Sequence, residues 1–335
     1  MTKPTRIGVI GMGAVAQVAH LPALASHADV EIVGVCDIDM PKARALAARF
    51  DIRDTYDDIE NLLRIGRPDA VVICTPNHLH QVYVETALSA GVAVLCERPL
   101  ALTAAGVEQI IAAQARAGHP VIVGMNHRYR TEVQAVRGFV LGGELGSLRG
   151  IRAGWYQFRP ARAELGWRQR LAQAGGGAML DLGLAVLDLS IWLADKPTPI
   201  EVTASLQGPA DSELEDAGCA LVRCENDFTI FVDVAWRYVG DQERFWVDVM
   251  GEDGSARVSP LRVFKELRGA PVNVTPSGAS GRENPFATSY RAEWATFLAA
   301  VRGEVQAPSI DDQVLLHRTI EAIYRSAKEG RAVAV

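Results

Sequence analysis

The chain has few of the features that would assign it to several common classes. Basic residues do not predominate: 34 Lys and Arg stand against 40 Asp and Glu, a net charge of −6. The broad positive field of a nucleic-acid-binding protein is therefore absent, and no such partner is expected. Cysteine is scarce. The five, at positions 36, 74, 96, 219 and 224, show neither CxxC nor metal-ligand spacing. Cys36, Cys74 and Cys96 lie at the ends of apolar runs and read as small buried hydrophobes. Apolar runs stop short of a membrane span. The first residues, Met1-Thr-Lys-Pro-Thr-Arg6, lack the apolar core and cleavage site of a secretion signal. A cytoplasmic protein without a membrane partner is expected.

What is present is a strong alternation. Apolar runs at 6–10, 31–37, 70–74, 92–96 and 120–124 read as strands, and helix-like stretches separate them. Asp39 and Pro41 open one helix as N-cap and first-turn proline, and Gly91 stops another. Apolar strands alternating with helices imply a parallel sheet covered on both faces. Residues 1–125 are thus expected to be a doubly wound Rossmann domain. Beyond Gly124 the pattern changes. Thr131-Glu-Val-Gln134 resembles a capping box. Stretches at 148–158, 200–206, 217–224, 228–236 and 244–250 mostly alternate as half-exposed antiparallel strands do, and a helix is expected over 177–194. Residues 268–285 read as a loop, and two helices close the chain at 289–301 and 310–329, the second capped by Ser309. Residues 126–335 are expected to form an α+β domain on a largely antiparallel open sheet, so the fold class is α/β plus α+β.

Gly11, Gly13 and Ala16 fit G-x-G-x-x-G/A. The pattern follows a strand, opens a helix, and is answered by Asp37 at the end of the next strand. Gly11 permits the tight turn, Gly13 lets backbone approach a pyrophosphate, and Ala16 keeps the helix close to the sheet. The helix N-terminus offers free N–H groups to phosphates. Asp37 suits ribose hydroxyls and repels a 2′-phosphate, so NAD is the expected cofactor. Thr75-Pro-Asn77-His-Leu-His80 lies at the carboxyl end of the third expected strand, where ligands of such sheets sit. Thr75 and Asn77 are expected to line the dinucleotide path. His78 and His80 start a helix; His80 reads equally as a packed side chain or a proton carrier. No carboxylate or cysteine joins them at ligand spacing, so no metal is expected.

Together with Cys96-Glu97-Arg98-Pro-Leu100, Trp167-Arg168, Gly175-Gly-Gly177, Asp181-Leu-Gly183 and Asp188, these segments resemble the glucose–fructose oxidoreductase / inositol dehydrogenase family of NAD(P)-dependent oxidoreductases. The likeness spans nearly the whole chain. It implies a sugar, polyol or related substrate, a homodimer or homotetramer, and Glu97 at the cofactor. It also implies a lysine before the proline and a histidine four residues after the aspartate. Here those positions hold Arg98 and Ala185. Arginine effectively never deprotonates, and alanine carries no proton. Asp181, Arg98 and His80 are left as catalytic candidates, with His127, Tyr129 and Tyr156 as further proton carriers. Asp181 reads also as a structural acceptor or a partner of Arg98. Arg128, Tyr156, Arg159, Trp167 and Arg168 are candidates to line the substrate pocket, or equally surface and packing residues. Two readings stay open: an oxidoreductase with an atypical proton relay, and a non-catalytic sensor that binds NAD and a sugar-like ligand.

Overall fold

The computed structural model describes residues 3–159, 166–277 and 283–335. It divides into two compact units. The first comprises Met1–Asn126 and Phe286–Val314. Its sheet consists of β1 (Thr5–Ile10), β2 (Val30–Cys36), β3 (Thr55–Tyr56), β4 (Ala70–Ile73), β5 (Ala93–Glu97) and β6 (Val121–Gly124). The order is β3-β2-β1-β4-β5-β6, and every pairing is parallel. Five of these strands were expected. β3 was not, because two residues are too few to carry a period. β4 and β5 are buried along their whole lengths, as strands covered on both faces must be. Asp39 caps the helix Met40–Arg49 through Lys42 N–H, and Thr103 caps Ala104–Ala117 through Gly106 N–H.

The helix Pro285–Val301 completes this unit. Its Trp294, Phe297 and Leu298 pack with Ile7, Val9, Leu21 and Leu95 in one apolar core. The expected division at 125/126 therefore describes the chain's path, while this late helix returns to the first core.

The second unit comprises His127–Pro285 and Leu315–Val335. Its strands are β7 (Leu148–Tyr156), β8 (Pro199–Gln207), β9 (Ala217–Cys224), β10 (Thr229–Ala235), β11 (Arg244–Gly251), β12 (Gly254–Val258), β13 (Arg262–Leu267), β14 (Ala270–Asn273) and β15 (Val333–Ala334). They form one sheet in the order β14-β13-β12-β11-β7-β10-β9-β8-β15. β7 and β10 run parallel; the other pairings are antiparallel. Side chains alternate between its faces. Ile151, Ala153, Ile230, Val232, Val247 and Val249 are buried on the face covered by the helix Leu184–Leu193. Arg152, Tyr156, Asp233 and Trp246 belong to the opposite face.

Several expectations need correction. The loop expected over 268–285 contains β14, which pairs with β13; its part at 278–282 lies outside the described residues, as do residues 1–2 of the N-terminal segment. Thr131 is not a cap: Arg130 holds the N-cap position of Thr131–Leu141 without a side-chain bond. Gln134 instead reaches Arg128 O at 2.5 Å. The helix expected at 177–194 is a π-wound turn, Met179–Gly183, running into Leu184–Leu193. With the turn Leu171–Ala174 before it, Leu171–Leu193 is long and apolar enough to cross a membrane, which the run-length reading had missed. Its most apolar window is 89% buried inside the protein, as befits a core helix. The last helix begins at Asp312, with Ser309 Oγ on Asp311.

Candidate active site

In the first unit, β1 ends at Ile10 and the chain turns at Gly11, whose φ is +89°. A Cβ there would stand 2.7 Å from the Cys74 carbonyl carbon and oxygen. Only glycine fits, both for conformation and for space. Gly13 differs. A Cβ there would meet only Cys74 O, at 3.8 Å. Its small size serves no internal contact and leaves room for something to approach the backbone. Ala16 is fully buried, as close helix–sheet packing requires.

Asp37 holds this turn in place. Its Oδ2 accepts Met12 N–H at 2.7 Å and its Oδ1 accepts Asp39 N–H at 2.8 Å. Lys42 Nζ lies 3.1 Å from Oδ2. Lys42 escaped the sequence reading, although its place in the first turn of the next helix is within reach of β2's end.

At the carboxyl end of β4, Thr75 Oγ1 is buried without a hydrogen-bond partner among the described residues. A buried hydroxyl left this way suits a ligand atom. With the open space at Gly13 it shows that the residues present fit a dinucleotide. Asn77 starts the short 3-10 turn Asn77–Leu79. His80 is buried, with Nδ1 2.7 Å from Pro99 O and Nε2 2.9 Å from Thr75 O. Burial lowers its pKa, and the two carbonyls oppose that shift. A neutral ring carries one N–H and donates to only one of these carbonyls, so its tautomer decides whether it bonds the Pro99 loop or the Thr75 loop.

Glu97, at the end of β5, is 8% exposed. Its Oε1 accepts His20 Nε2–H at 2.8 Å and the Tyr290 hydroxyl at 3.3 Å. Trp294 Nε1–H occupies His20 Nδ1 at 3.1 Å, which fixes the tautomer. Burial works against the Glu97 charge, but the His20 bond and the nearby Arg98 outweigh it and hold the carboxyl below its usual range. His20, Tyr290 and Trp294 are functional neighbours that local patterning could not reveal. Arg98 follows, half-buried, before the cis Pro99.

In the second unit, Asp181 accepts Arg159 Nη2–H at 2.7 Å and Trp236 Nε1–H at 2.9 Å. The Arg159 guanidinium lies 4.7 Å from the centre of the Trp236 ring. Trp236 was missed, although it continues the buried alternation of β10. Ala185, in the following helix, is buried at 3% exposure. Arg128, a pocket candidate, forms a two-pronged pair with the buried Asp188, Nε to Oδ2 at 2.8 Å and Nη2 to Oδ1. His127 stacks on Phe245, with ring centroids 4.8 Å apart, and meets Trp155 edge-on. Tyr129 ends the 3-10 turn Asn126–Tyr129. Tyr156 lies on the sheet face opposite that helix, its hydroxyl donating to Asp233 at 2.5 Å. The strand's two-residue alternation puts it on the opposite sheet face from the helix that follows Asp181, with Asp233 as its partner. Trp167 and Arg168 share the turn Gly166–Gln169, the guanidinium 4.3 Å from the ring centre. Among the described residues no group of three His, Cys, Asp or Glu is placed to hold a metal.

Residues 5–125 match a family model described as an oxidoreductase family with an NAD-binding Rossmann fold, and residues 133–257 match the GFO/IDH/MocA C-terminal domain. The chain belongs to the GFO/IDH/MocA oxidoreductase family. D-apiose dehydrogenase of Paraburkholderia graminis is 30% identical over 328 residues, which cover 94% of this chain and 85% of the relative. D-glucoside 3-dehydrogenase of Escherichia coli K12 is 24% identical over 358 residues, covering 99% and 98%. Among solved structures, GenD2 from gentamicin A biosynthesis, crystallised with NAD, superposes with a TM-score of 0.87 at 27% identity, covering 100% of this chain and 97% of that one. As a member of the GFO/IDH/MocA family, the protein is an oxidoreductase and its cofactor is NAD.

Proposed function

We propose that the protein interconverts a secondary hydroxyl and a ketone on a sugar, polyol or related derivative, with a proton relay that uses neither lysine nor histidine at the usual places. The observation that carries this reading is an intact dinucleotide mouth combined with Arg98 and Ala185 at the two relay positions. Sugar dehydrogenases among the relatives support the substrate class. Gly11, Gly13, Ala16, Asp37, Thr75, Asn77 and Glu97 hold the NAD, which accepts or returns the hydride. Arg98 polarises the substrate oxygen with its guanidinium. Asp181, oriented by Arg159 and Trp236, moves the proton, and His80 packs between the Thr75 and Pro99 carbonyls. Arg159, Trp167 and Arg168 contribute to substrate binding. We place the protein in the cytoplasm as a homodimer or homotetramer; the uncovered sheet face, where Leu221 is 46% exposed, supports association.

The absent lysine and histidine also favour a second reading, a sensor that binds NAD and a sugar-like ligand without turnover. Incubation with NAD and a panel of sugars and inositols, followed by NADH absorbance, separates the two. Steady turnover that Asp181→Asn abolishes excludes the sensor. Tight NAD binding with no turnover across the panel excludes the enzyme acting on that class.

A further inference from the structure

Glu293 lies on the helix Pro285–Val301 and is completely buried. Neither carboxyl oxygen has a hydrogen-bond partner among the described residues. A carboxylate cannot be kept in such a place at reasonable cost; the group takes up a proton instead. Burial pushes its pKa well above the usual range, Glu97 pushes it further, and Arg98 opposes both.

Its place follows from its helix: Tyr290, one turn before it, donates to Glu97 at 3.3 Å, and Trp294, next to it, donates to His20 at 3.1 Å. Cys74 after β4 and Glu97 and Arg98 at the end of β5 are the charged or titratable groups it interacts with there. Cys74 is the residue whose carbonyl closes on Gly11. Glu293 thus belongs to the carboxyl edge of the six-stranded sheet, where dinucleotides dock in doubly wound folds. The other titratable groups around Glu97 are His20, whose Nδ1 is taken by Trp294, and the buried His80. His20 donates through Nε2 to Glu97 and accepts at Nδ1 from Trp294. With Glu293 protonated, Glu97 and Arg98 balance. With Glu293 ionised, the cluster gains one negative charge.

We propose that Glu293 sets the charge at this edge and thereby the balance of affinity between oxidised and reduced dinucleotide. It is a positioning residue that acts through Glu97 and Arg98. The oxidised nicotinamide carries a positive charge and the reduced ring does not, so an added anion at the edge favours NAD⁺ over NADH. The inference rests on NAD binding and goes beyond the sugar reading, on which it does not depend.

The test uses the full chain and Glu293→Gln, an isostere of the uncharged acid. The infrared carboxylic-acid band of the wild type at pH 7 loses intensity in the variant. Thermal melts coincide below pH 4.5. Above it the wild type loses stability as pH rises, because a raised folded pKa stabilises only while the proton stays bound, and the variant becomes the more stable. In titrations with NAD⁺ and NADH, the ratio of NADH to NAD⁺ dissociation constants rises with pH in the wild type, by about fivefold, the order expected of one added unit charge in a partly buried site. In the variant it stays flat. An unchanged infrared band, a variant less stable at pH 7, or a ratio that follows pH identically in both proteins overturns the proposal. If Glu293→Gln does not fold, a pH-independent ratio in the wild type alone overturns it. Absence of binding to either dinucleotide refutes instead the placement of the NAD site.

Discussion

His20 and Glu97 meet at 2.8 Å across 77 residues of sequence, and the bond has a fixed direction. Trp294 occupies the other ring nitrogen, so the imidazole donates to the carboxylate. The pair joins the helix after the glycine turn to the end of β5, on either side of the proposed NAD site.

Glu97 is held below its usual range, so its contribution to stability is present above the unfolded value of 4.5 and is lost as pH falls below it. Glu97→Gln is expected to flatten the acid limb of the stability profile. His20→Ala removes a donor to a charged group and is expected to cost about 1.5–3 kcal/mol at pH 7 in denaturant unfolding, measured against wild type. An acid limb unchanged in Glu97→Gln contradicts the ionised assignment.

Gly11 and Gly13 are both small, for different reasons, and alanine separates them. Gly11→Ala places a Cβ at φ +89° and 2.7 Å from the Cys74 carbonyl, so the fold itself is expected to suffer. Gly13→Ala meets nothing closer than 3.8 Å. Its melting curve should match wild type within about 0.5 kcal/mol, the range of substitutions that disturb no contact. Its NAD affinity should fall tenfold or more, about 1.4 kcal/mol in binding free energy. Calorimetric titration checks this, and full NAD affinity in Gly13→Ala contradicts the assigned pyrophosphate approach.

Asp188 is 3% exposed and bound by Arg128. Removing one member of a buried pair leaves the other charge unmatched, at a cost of about 3–5 kcal/mol. Asp188→Ala is expected to lower the unfolding free energy by that amount in denaturant titration, and Arg128→Met,Asp188→Leu to recover much of it. A single variant with wild-type stability would show that the pair is structurally idle.

The parts of this molecule governed by local rules were legible in its sequence. The Gly11 turn, the Asp39 cap and the fully apolar β4 and β5 each depend on residues close in the chain. What stayed hidden depends on distance. Trp294 reaches His20 over 274 residues, and no period in either segment announces it. Trp236 reaches Asp181 over 55. Motif order carries no information about which sheet face Tyr156 takes; the register with β10 decides that. Thr131 was read as a cap from its spacing to Gln134, and the structure spends that glutamine on the Arg128 carbonyl instead.

Arg98 and Ala185 yield the most direct test of the proposed relay. Lysine at 98 supplies an ammonium whose pKa burial can lower toward neutrality, and histidine at 185 titrates there already. Ala185 is buried beside the sheet's covered face, so histidine must displace neighbours, and about 1–3 kcal/mol of stability is expected to be lost. If the present relay is the weaker one, Arg98→Lys with Ala185→His raises kcat about 10²-fold or more, the usual worth of a positioned acid–base group, and leaves the NAD dissociation constant unchanged. If Arg98 is instead adapted to polarise a substrate oxygen, the single change Arg98→Lys raises KM and lowers kcat together. A double variant that folds, binds NAD and turns over no faster than wild type places the proton transfer elsewhere, and Asp181→Asn in that background then reports whether Asp181 carries it.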